Sequence, residues 1–243
     1  MKDAIYGVIL AAGQGTRMGL SNQTGGKVMA MVQGEPLLSH SIKKLAAAGI
    51  KQIALVVNPE NKQFLQNYAG DGQAWQVQLT YVVQERPWGI AHALGLCQSF
   101  TRQHKVALLL ADNLFEASVT DAVQRFAVSG SGAKIFLSKV KEPQEYGVAV
   151  IQQDQVIRLV EKPKQWLSDW AVVGVYLYDA TVYEKIKGLV PSQRGELEIT
   201  DVNQRYLEAG ELTWEALPGW WVDVGTPERL ALAEAHLQTV RAL

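Results

Sequence analysis

The chain has 243 residues, 48% hydrophobic and 19% charged, with a formal net charge of −1 and a pI near 6.4. That balance supplies apolar material for a sizeable core and lacks the basic character of a non-specific nucleic-acid binder, so no nucleic-acid partner is expected. One cysteine, Cys97, excludes a disulfide framework within one chain, and no apolar run approaches the ~20 residues that span a bilayer, so no membrane partner is expected.

The predicted elements alternate. Ile5–Ala11 reads as a buried strand that runs straight into Gly13 and Gly15. Pro36–Ala48 reads as a helix stopped by Gly49. Ile53–Val57, Leu79–Val83, Val106–Leu110 and Lys134–Val140 follow as strands. Asn61–Tyr68, Gly89–Phe100 and Thr120–Ala127 are the helices between them. Strands alternating with helices predict βαβ units and a largely parallel sheet. Beyond about residue 140 the pattern changes. Val148–Ile151 and Val156–Val160 flank Gln152-Gln153-Asp154-Gln155 and read as a hairpin. Val172–Tyr178, Thr213–Ala216 and Trp221–Val224 are further strands. Ala180–Lys187, Thr200–Ala209 and Pro227–Arg241 are helices. The reading is one α/β domain, 1–243, whose second half adds antiparallel pieces.

The glycine turn carries the first chemical signal. Residues 9–17 are Ile-Leu-Ala-Ala-Gly-Gln-Gly-Thr-Arg, and Lys27 follows. Glycines let backbone N–H groups approach a ligand with no Cβ in the way. Such N–H groups form a concave anion site, which a nearby cation strengthens. A polyphosphate is the implied ligand. Two better-known loops are excluded. A dinucleotide fingerprint needs a third glycine where Met18 stands, and a P-loop needs glycine at Ser21 and Ser or Thr at Val28.

Two carboxylates stand out next. Asp112 ends the run Val106-Ala-Leu-Leu-Leu-Ala111, and Asp223 lies within Trp220-Trp221-Val222-Asp223-Val224-Gly225-Thr226. Ligands of open α/β sheets sit outside the carboxyl ends of strands, which suits Asp112. Two carboxylates with phosphate oxygens would give Mg²⁺ the hard ligands it prefers. Spacing alone leaves open an Asx turn at Asp112 and Asn113, a strand-end turn at Asp223, and a solvated pair at Glu161-Lys162. His40, His92, His104 and His236 show no metal spacing with one another or with Cys97. Cys97 lies in an apolar-rich segment and reads as a core thiol. A G-x-S-x-G nucleophile elbow is absent. Gly7 and Gly13 interrupt any secretory h-region, so a cytoplasmic location is expected.

The string L-A-A-G-x-G-T-R-M followed by a lysine resembles the sugar-phosphate nucleotidylyltransferases. Gln84-Glu-Arg-Pro87-Trp-Gly89-Ile-Ala91-His-Ala93 is similar to their nucleobase-reading Q-x-x-P-x-G-[LI]-A-x-A. Ala111-Asp112-Asn113 and Trp221–Thr226 resemble their G-D-N and W-x-D-x-G-T. Tyr146-Gly147-Val148, Glu161-Lys162-Pro163, Val172–Tyr176 and Arg194–Asp201 resemble the sugar-phosphate half of the glucose-1-phosphate thymidylyltransferases. The resemblance implies a Rossmann-like, mostly parallel central sheet with helices on both faces plus antiparallel sugar-binding additions. Residues 1–140 would serve mainly the nucleotide and 141–243 the sugar phosphate.

The resemblance also implies roles. Leu10, Ala12, Gly13, Gly15, Thr16, Arg17, Gln84, Pro87 and Gly89 would bind the nucleotide. Tyr146, Gly147, Glu161, Lys162, Val172, Tyr176 and Arg194 would bind the sugar phosphate. Arg17, Lys27, Asp112 and Asp223 would be catalytic, with both aspartates on Mg²⁺. The partners would be a nucleoside triphosphate and a sugar-1-phosphate, and assembly into a homo-oligomer is left open. Gln84, whose amide offers both donor and acceptor, is expected to read a pyrimidine edge. Gly26, Val28, Ala111 and Val173 depart from the usual proline, glutamine, glycine and threonine. Lys27–Pro36 looks closer to N-acetylglucosamine-1-phosphate uridylyltransferases. The favoured reading is thymidylyl transfer from dTTP to glucose-1-phosphate. Uridylyl transfer to glucose-1-phosphate or N-acetylglucosamine-1-phosphate is the alternative, and a non-catalytic sugar-nucleotide sensor a remote one.

Overall fold

The computed structural model describes residues 5–13, 15, 18–128 and 131–241. In chain order the strands are β1 (Ile5–Leu10), β2 (Met31–Val32), β3 (Glu35–Pro36), β4 (Gln52–Val57), β5 (Gln78–Val83), β6 (Lys105–Leu110), β7 (Asn113–Phe115), β8 (Ala133–Lys139), β9 (Gly147–Gln152), β10 (Gln155–Glu161), β11 (Trp170–Tyr178), β12 (Leu212–Ala216) and β13 (Trp221–Asp223). The helices are α1 (Leu37–Ala47), α2 (Lys62–Ala69), α3 (Ile90–Gly95), α4 (Gln98–Thr101), α5 (Thr120–Val128), α6 (Val182–Ile186), α7 (Ile199–Glu208) and α8 (Pro227–Arg241).

Nine strands form one twisted sheet in the order β10-β9-β11-β6-β1-β4-β5, with β8 and β12 continuing from β11. Strands β5, β4, β1 and β6 are mutually parallel, as the alternation with helices predicts. Strand β11 is inserted antiparallel to β6. The hairpin of β9 and β10 pairs antiparallel through Gln153 and Asp154, both at positive φ (49° and 62°), the left-handed backbone of a tight two-residue hairpin turn. Strand β12 is not an antiparallel addition. It runs parallel to β8.

Alternate strand residues face opposite sides of the sheet. Ile9, Ala107 and Leu109 pack with Leu38, Ile42 and Leu45 of α1, Leu65 of α2, and Val123 and Phe126 of α5. Val8, Val106 and Leu108 pack on the other face with Ala91 and Leu94 of α3, Val182 of α6, and Val202 and Tyr206 of α7. Helices on both faces agree with the expected layers. Each fully buried Leu or Ile contributes roughly 1.5–3 kcal/mol. A smaller cluster joins Ala233 of α8 to Val224, Val32 and Leu37.

The predicted helix 89–100 is two helices. Gly95 is a weak helix former, and the next bonds tighten: the Cys97 N–H reaches back to the Leu94 carbonyl at 2.9 Å. Cys97 is fully buried, as its apolar context predicts. Helix α6 starts later than expected because Asp179 folds back, accepting from the Thr181 N–H at 3.0 Å and its hydroxyl at 2.5 Å. Among the described residues, no helix is long and apolar enough to cross a membrane.

Candidate active site

The carboxyl ends of β1, β5 and β6 open into a cavity of about 540 Å³. Leu10, Ala12, Gly13, Gly15, Lys27, Gln84, Pro87, Gly89 and Asp112 line it, with Arg194 and Glu196 on the far wall. A second cavity of about 160 Å³ adjoins it, lined by Tyr146, Gly147, Glu161, Lys162, Val172, Tyr176, Thr200, Trp221 and Asp223. Four residues line both: Ile90, Leu110, Asp112 and Arg194. The described nucleotide residues thus line the first compartment and the sugar-phosphate residues the second, except Arg194, which lines both. Thr16 and Arg17 lie outside the described residues. Lys27 lines the first cavity alone and Asp223 the second alone.

The glycine turn is held from behind. The Asn58 and Asn61 side-chain amides donate to the carbonyls of Ala12 and Ala11 at 3.2 and 2.9 Å. Both asparagines are buried. Gly15 adopts φ +59°, and a Cβ there would stand 3.0 Å from the Lys27 Cβ. The turn therefore needs glycine for its backbone and for the close passage of Lys27. The Lys27 ammonium forms an ion pair with Asp112. Burial opposes ionisation of Asp112, but the Lys27 charge and hydrogen bonds from Lys27 and Asn113 outweigh it and hold the carboxyl below its ordinary range.

Asp223 reaches the site through pairing. Strands β7 and β13 form a separate two-stranded antiparallel ribbon that sets Asp223 opposite Asn113. The Val224 N–H donates to the Asp112 carbonyl at 2.8 Å. Arg229 of α8 lies 3.6 Å from the Asp223 carboxylate, pairs with Glu145, and sits 5.4 Å above the Tyr146 ring. Among the described residues, no three His, Cys, Asp or Glu side chains cluster as a metal site. Asp112 and Asp223 would have to share an ion with ligand oxygens, which suits a cation that takes phosphate ligands.

Sequence reading names Asn113 only as the neighbour of Asp112 and assigns it no role. Its Oδ1 accepts from the Gly174 N–H at 3.0 Å and the Trp221 indole at 2.8 Å. Its Nδ2 donates to the Asp112 Oδ1 at 3.0 Å. This one buried amide ties β7, β11 and β13 to the carboxylate. The only available signal was an asparagine directly after a strand-end aspartate. Glu198 and Thr200 were also missed as separate residues, though both lie within the string 194–201.

In the second cavity, Thr200 donates to Glu161 at 2.6 Å. Arg194 spans three carboxylates, at 3.5 Å to Glu161, 2.6 Å to Glu196 and 3.3 Å to Glu198. Burial raises the Glu198 pKa and Arg194 counters it in part. Lys162 sits at φ +41° with its N–H on the Tyr146 carbonyl at 2.9 Å. A non-glycine residue in the left-handed region costs of order 1–3 kcal/mol and concentrates at functional sites.

Gln84 lines the first cavity. Its Nε2 donates to the Gly89 carbonyl at 3.2 Å and meets His92 Nδ1 at 3.0 Å. An amide nitrogen carries two hydrogens. One is spent on the Gly89 carbonyl and the other points at the His92 ring, so the expected use of both donor and acceptor on a base is cut back to Oε1, because the fold supplies partners for the nitrogen. Gly89 adopts φ +96°, and a Cβ there would strike the Leu197 carbonyl at 2.5 Å. The Leu197 N–H donates to the Trp88 carbonyl at 2.8 Å. The loop 84–89 is thereby stitched to the loop that carries Arg194.

Residues 6–240 match the nucleotidyl transferase family. The chain is 38% identical to a glucose-1-phosphate thymidylyltransferase of Neisseria gonorrhoeae, over 97% of this chain and 83% of that one. It is 38% identical to the low-salt glycan biosynthesis nucleotidyltransferase Agl11 of Haloferax volcanii, over 91% of this chain and 63% of that one. A Bacillus anthracis chain assigned as a glucose-1-phosphate thymidylyltransferase and crystallised with sucrose superposes with a TM-score of 0.91 at 40% identity, covering 96% and 95% of the two chains. A UDP-glucose pyrophosphorylase bound to UDP-glucose shares the fold, with a TM-score of 0.85 at 20% identity and 98% and 99% coverage.

Proposed function

The chain belongs to the nucleotidyl transferase family, and from that premise we propose that it transfers a thymidylyl group from dTTP to glucose-1-phosphate, releasing pyrophosphate. The observation that carries the proposal is the pair of cavities joined at Asp112 and Arg194. A nucleoside triphosphate in the first and a sugar-1-phosphate in the second would bring an acceptor phosphate oxygen against an α-phosphorus. The acceptor is its own nucleophile, so the protein contributes position and charge rather than covalent chemistry. Relatives named glucose-1-phosphate thymidylyltransferase at this identity and coverage support the choice of substrates.

Each residue then has a task. The amides of Gly13 and Gly15, with Arg17, hold the triphosphate. Lys27 exchanges its Asp112 partner for phosphate charge that builds toward the leaving pyrophosphate. Gly147, Glu161, Val172 and Tyr176 line the sugar. Lys162 and Arg194 neutralise its phosphate, Arg194 leaving its three glutamates to do so. Asp112 and Asp223 would hold Mg²⁺, which supplies charge stabilisation to the transferring phosphoryl group. A pyrophosphate-release assay over a grid of triphosphates and sugar-1-phosphates tests the reading. Turnover should peak with dTTP and glucose-1-phosphate and persist with UTP, because thymine and uracil differ by one methyl, worth about 10–200-fold at most. Preference for a purine triphosphate, or no turnover with any pair, would overturn it.

A further inference from the structure

We propose that His92 occupies the second N–H of the Gln84 amide, whose orientation the Gly89 carbonyl sets, so that the nucleotide cavity is offered a carbonyl acceptor alone and selects bases that carry a ring N–H at that edge. This rests on the proposed reading that the cavity beside Gln84 receives the nucleobase. The geometry supplies the argument. Gln84 is buried and lines the cavity, whereas His92 lies behind it. The Gly89 carbonyl, 3.2 Å from one end of the amide, can only accept. The NH₂ group must therefore occupy that end, since turning the amide over would set two carbonyl oxygens against each other. The second N–H of the same nitrogen points at His92 Nδ1, 3.0 Å away, so Nδ1 must be the unprotonated nitrogen and the ring must carry its hydrogen on Nε2.

The surroundings hold that state. The Trp88 ring packs edge-on against the imidazole, with centroids 5.2 Å apart and planes at 67°. Arg86 lies over the outer face of Trp88, 5.6 Å from its centroid. Burial lowers the pKa of His92, favouring the neutral ring. With both amide hydrogens spent internally, Gln84 offers the cavity only Oε1. Thymine and uracil carry N3–H and can donate to it. Cytosine presents a lone pair at N3 and would meet it oxygen to nitrogen with no proton between. His92 touches no ligand in this scheme and is a positioning residue.

The test measures kcat/KM for dTTP and dCTP with glucose-1-phosphate in the wild type, His92→Leu and His92→Asn. Asparagine returns an acceptor near the place of Nδ1. The dTTP-to-dCTP ratio should fall roughly tenfold in His92→Leu, the effect of freeing one amide N–H to donate to cytosine N3, and return to within about threefold of wild type in His92→Asn. Long-range proton–nitrogen NMR of the wild type should show Nδ1 unprotonated. A wild type that prefers dCTP or a purine triphosphate would overturn the base-site reading itself. A wild type that prefers dTTP or UTP, with an unchanged ratio in His92→Leu, would overturn only the role of His92. A protonated Nδ1 would overturn it as well, and that readout stands even if His92→Leu does not fold.

Discussion

Alanine at Gly174 would set one methyl group against the hub of the site. Gly174 lies where the pairing of β11 with β8 shifts register between Val172 and Tyr176. Its N–H leaves the ladder to donate to Asn113, and a Cβ there would stand 2.7 Å from the Asn113 amide carbon and oxygen. Asn113 cannot give way cheaply, because it also holds the Trp221 indole and Asp112. Displacing it leaves the buried Gly174 N–H and the part-buried Trp221 indole without an acceptor, each costing up to about 1–3 kcal/mol. Gly174→Ala should therefore lose about 2–4 kcal/mol of stability, and Asn113→Ala a similar amount by leaving the same donors unmet. The double variant should lose little more than either single one, because the methyl then enters space that Asn113 has vacated. Urea unfolding of the four proteins gives the coupling, expected at about 2 kcal/mol or more. Pyrophosphate release should fall together in both single variants as Asp112 loses its hydrogen bond. Losses that add to within about 0.5 kcal/mol would refute the clash as the cause.

Asp112→Asn and Asp223→Asn should each cut turnover at least about a hundredfold while leaving the fold intact by circular dichroism, since charge stabilisation by a bound ion is worth several kcal/mol. Near-wild-type rates in Mg²⁺ for either would sink its metal role. Lys162→Met should weaken glucose-1-phosphate binding by about 1.5–3 kcal/mol in calorimetry and change dTTP binding far less. Equal losses would count against this division of labour. Away from the site, burial disfavours ionised Glu215, but hydrogen bonds and charge from Lys134 and Arg125 prevail and hold its pKa below the ordinary value. A lowered carboxylate stabilises the fold above its unfolded pKa and loses that contribution as pH falls through the folded one. Glu215→Gln should cost about 0.5–1 kcal/mol at pH 7, with the difference closing below about pH 4. A gap that widens in acid would refute the assignment.

Period and punctuation made the sheet legible. Buried parallel strands read as continuous apolar runs, as Val106–Leu110 does, and Gly49 marks the end of α1. Short pieces were not legible in that way. Strand β7 has three residues, too few for a periodic signal, and exists because β13 pairs with it. The pairing direction of β12 depends on β8, far away in sequence. In the site, the glycine turn, Lys27 and the two aspartates were visible as residue types in apolar settings. Their union came from resemblance, because spacing cannot bring residues 112 and 223 together. Asn113, Asn58 and Asn61 act by hydrogen-bonding partners that only the fold supplies, and a lone asparagine reads as a turn.

The ribbon of β7 and β13 has a consequence for how activity ends. It is the seam that sets Asp223 beside Asp112, yet it stands apart from the nine-stranded sheet and holds only three residue pairs. Two-stranded pieces are marginal by themselves, and proteins open locally in units far weaker than the whole. Its partner contacts run through α8, where His236 meets Glu116 at 2.6 Å and stacks on Trp220. Warming or mild denaturant would fray this seam while both faces of the large sheet stay closed. Inactivation would then precede melting, and the early inactive species would regain activity on cooling because the scaffold that re-zips the ribbon never left.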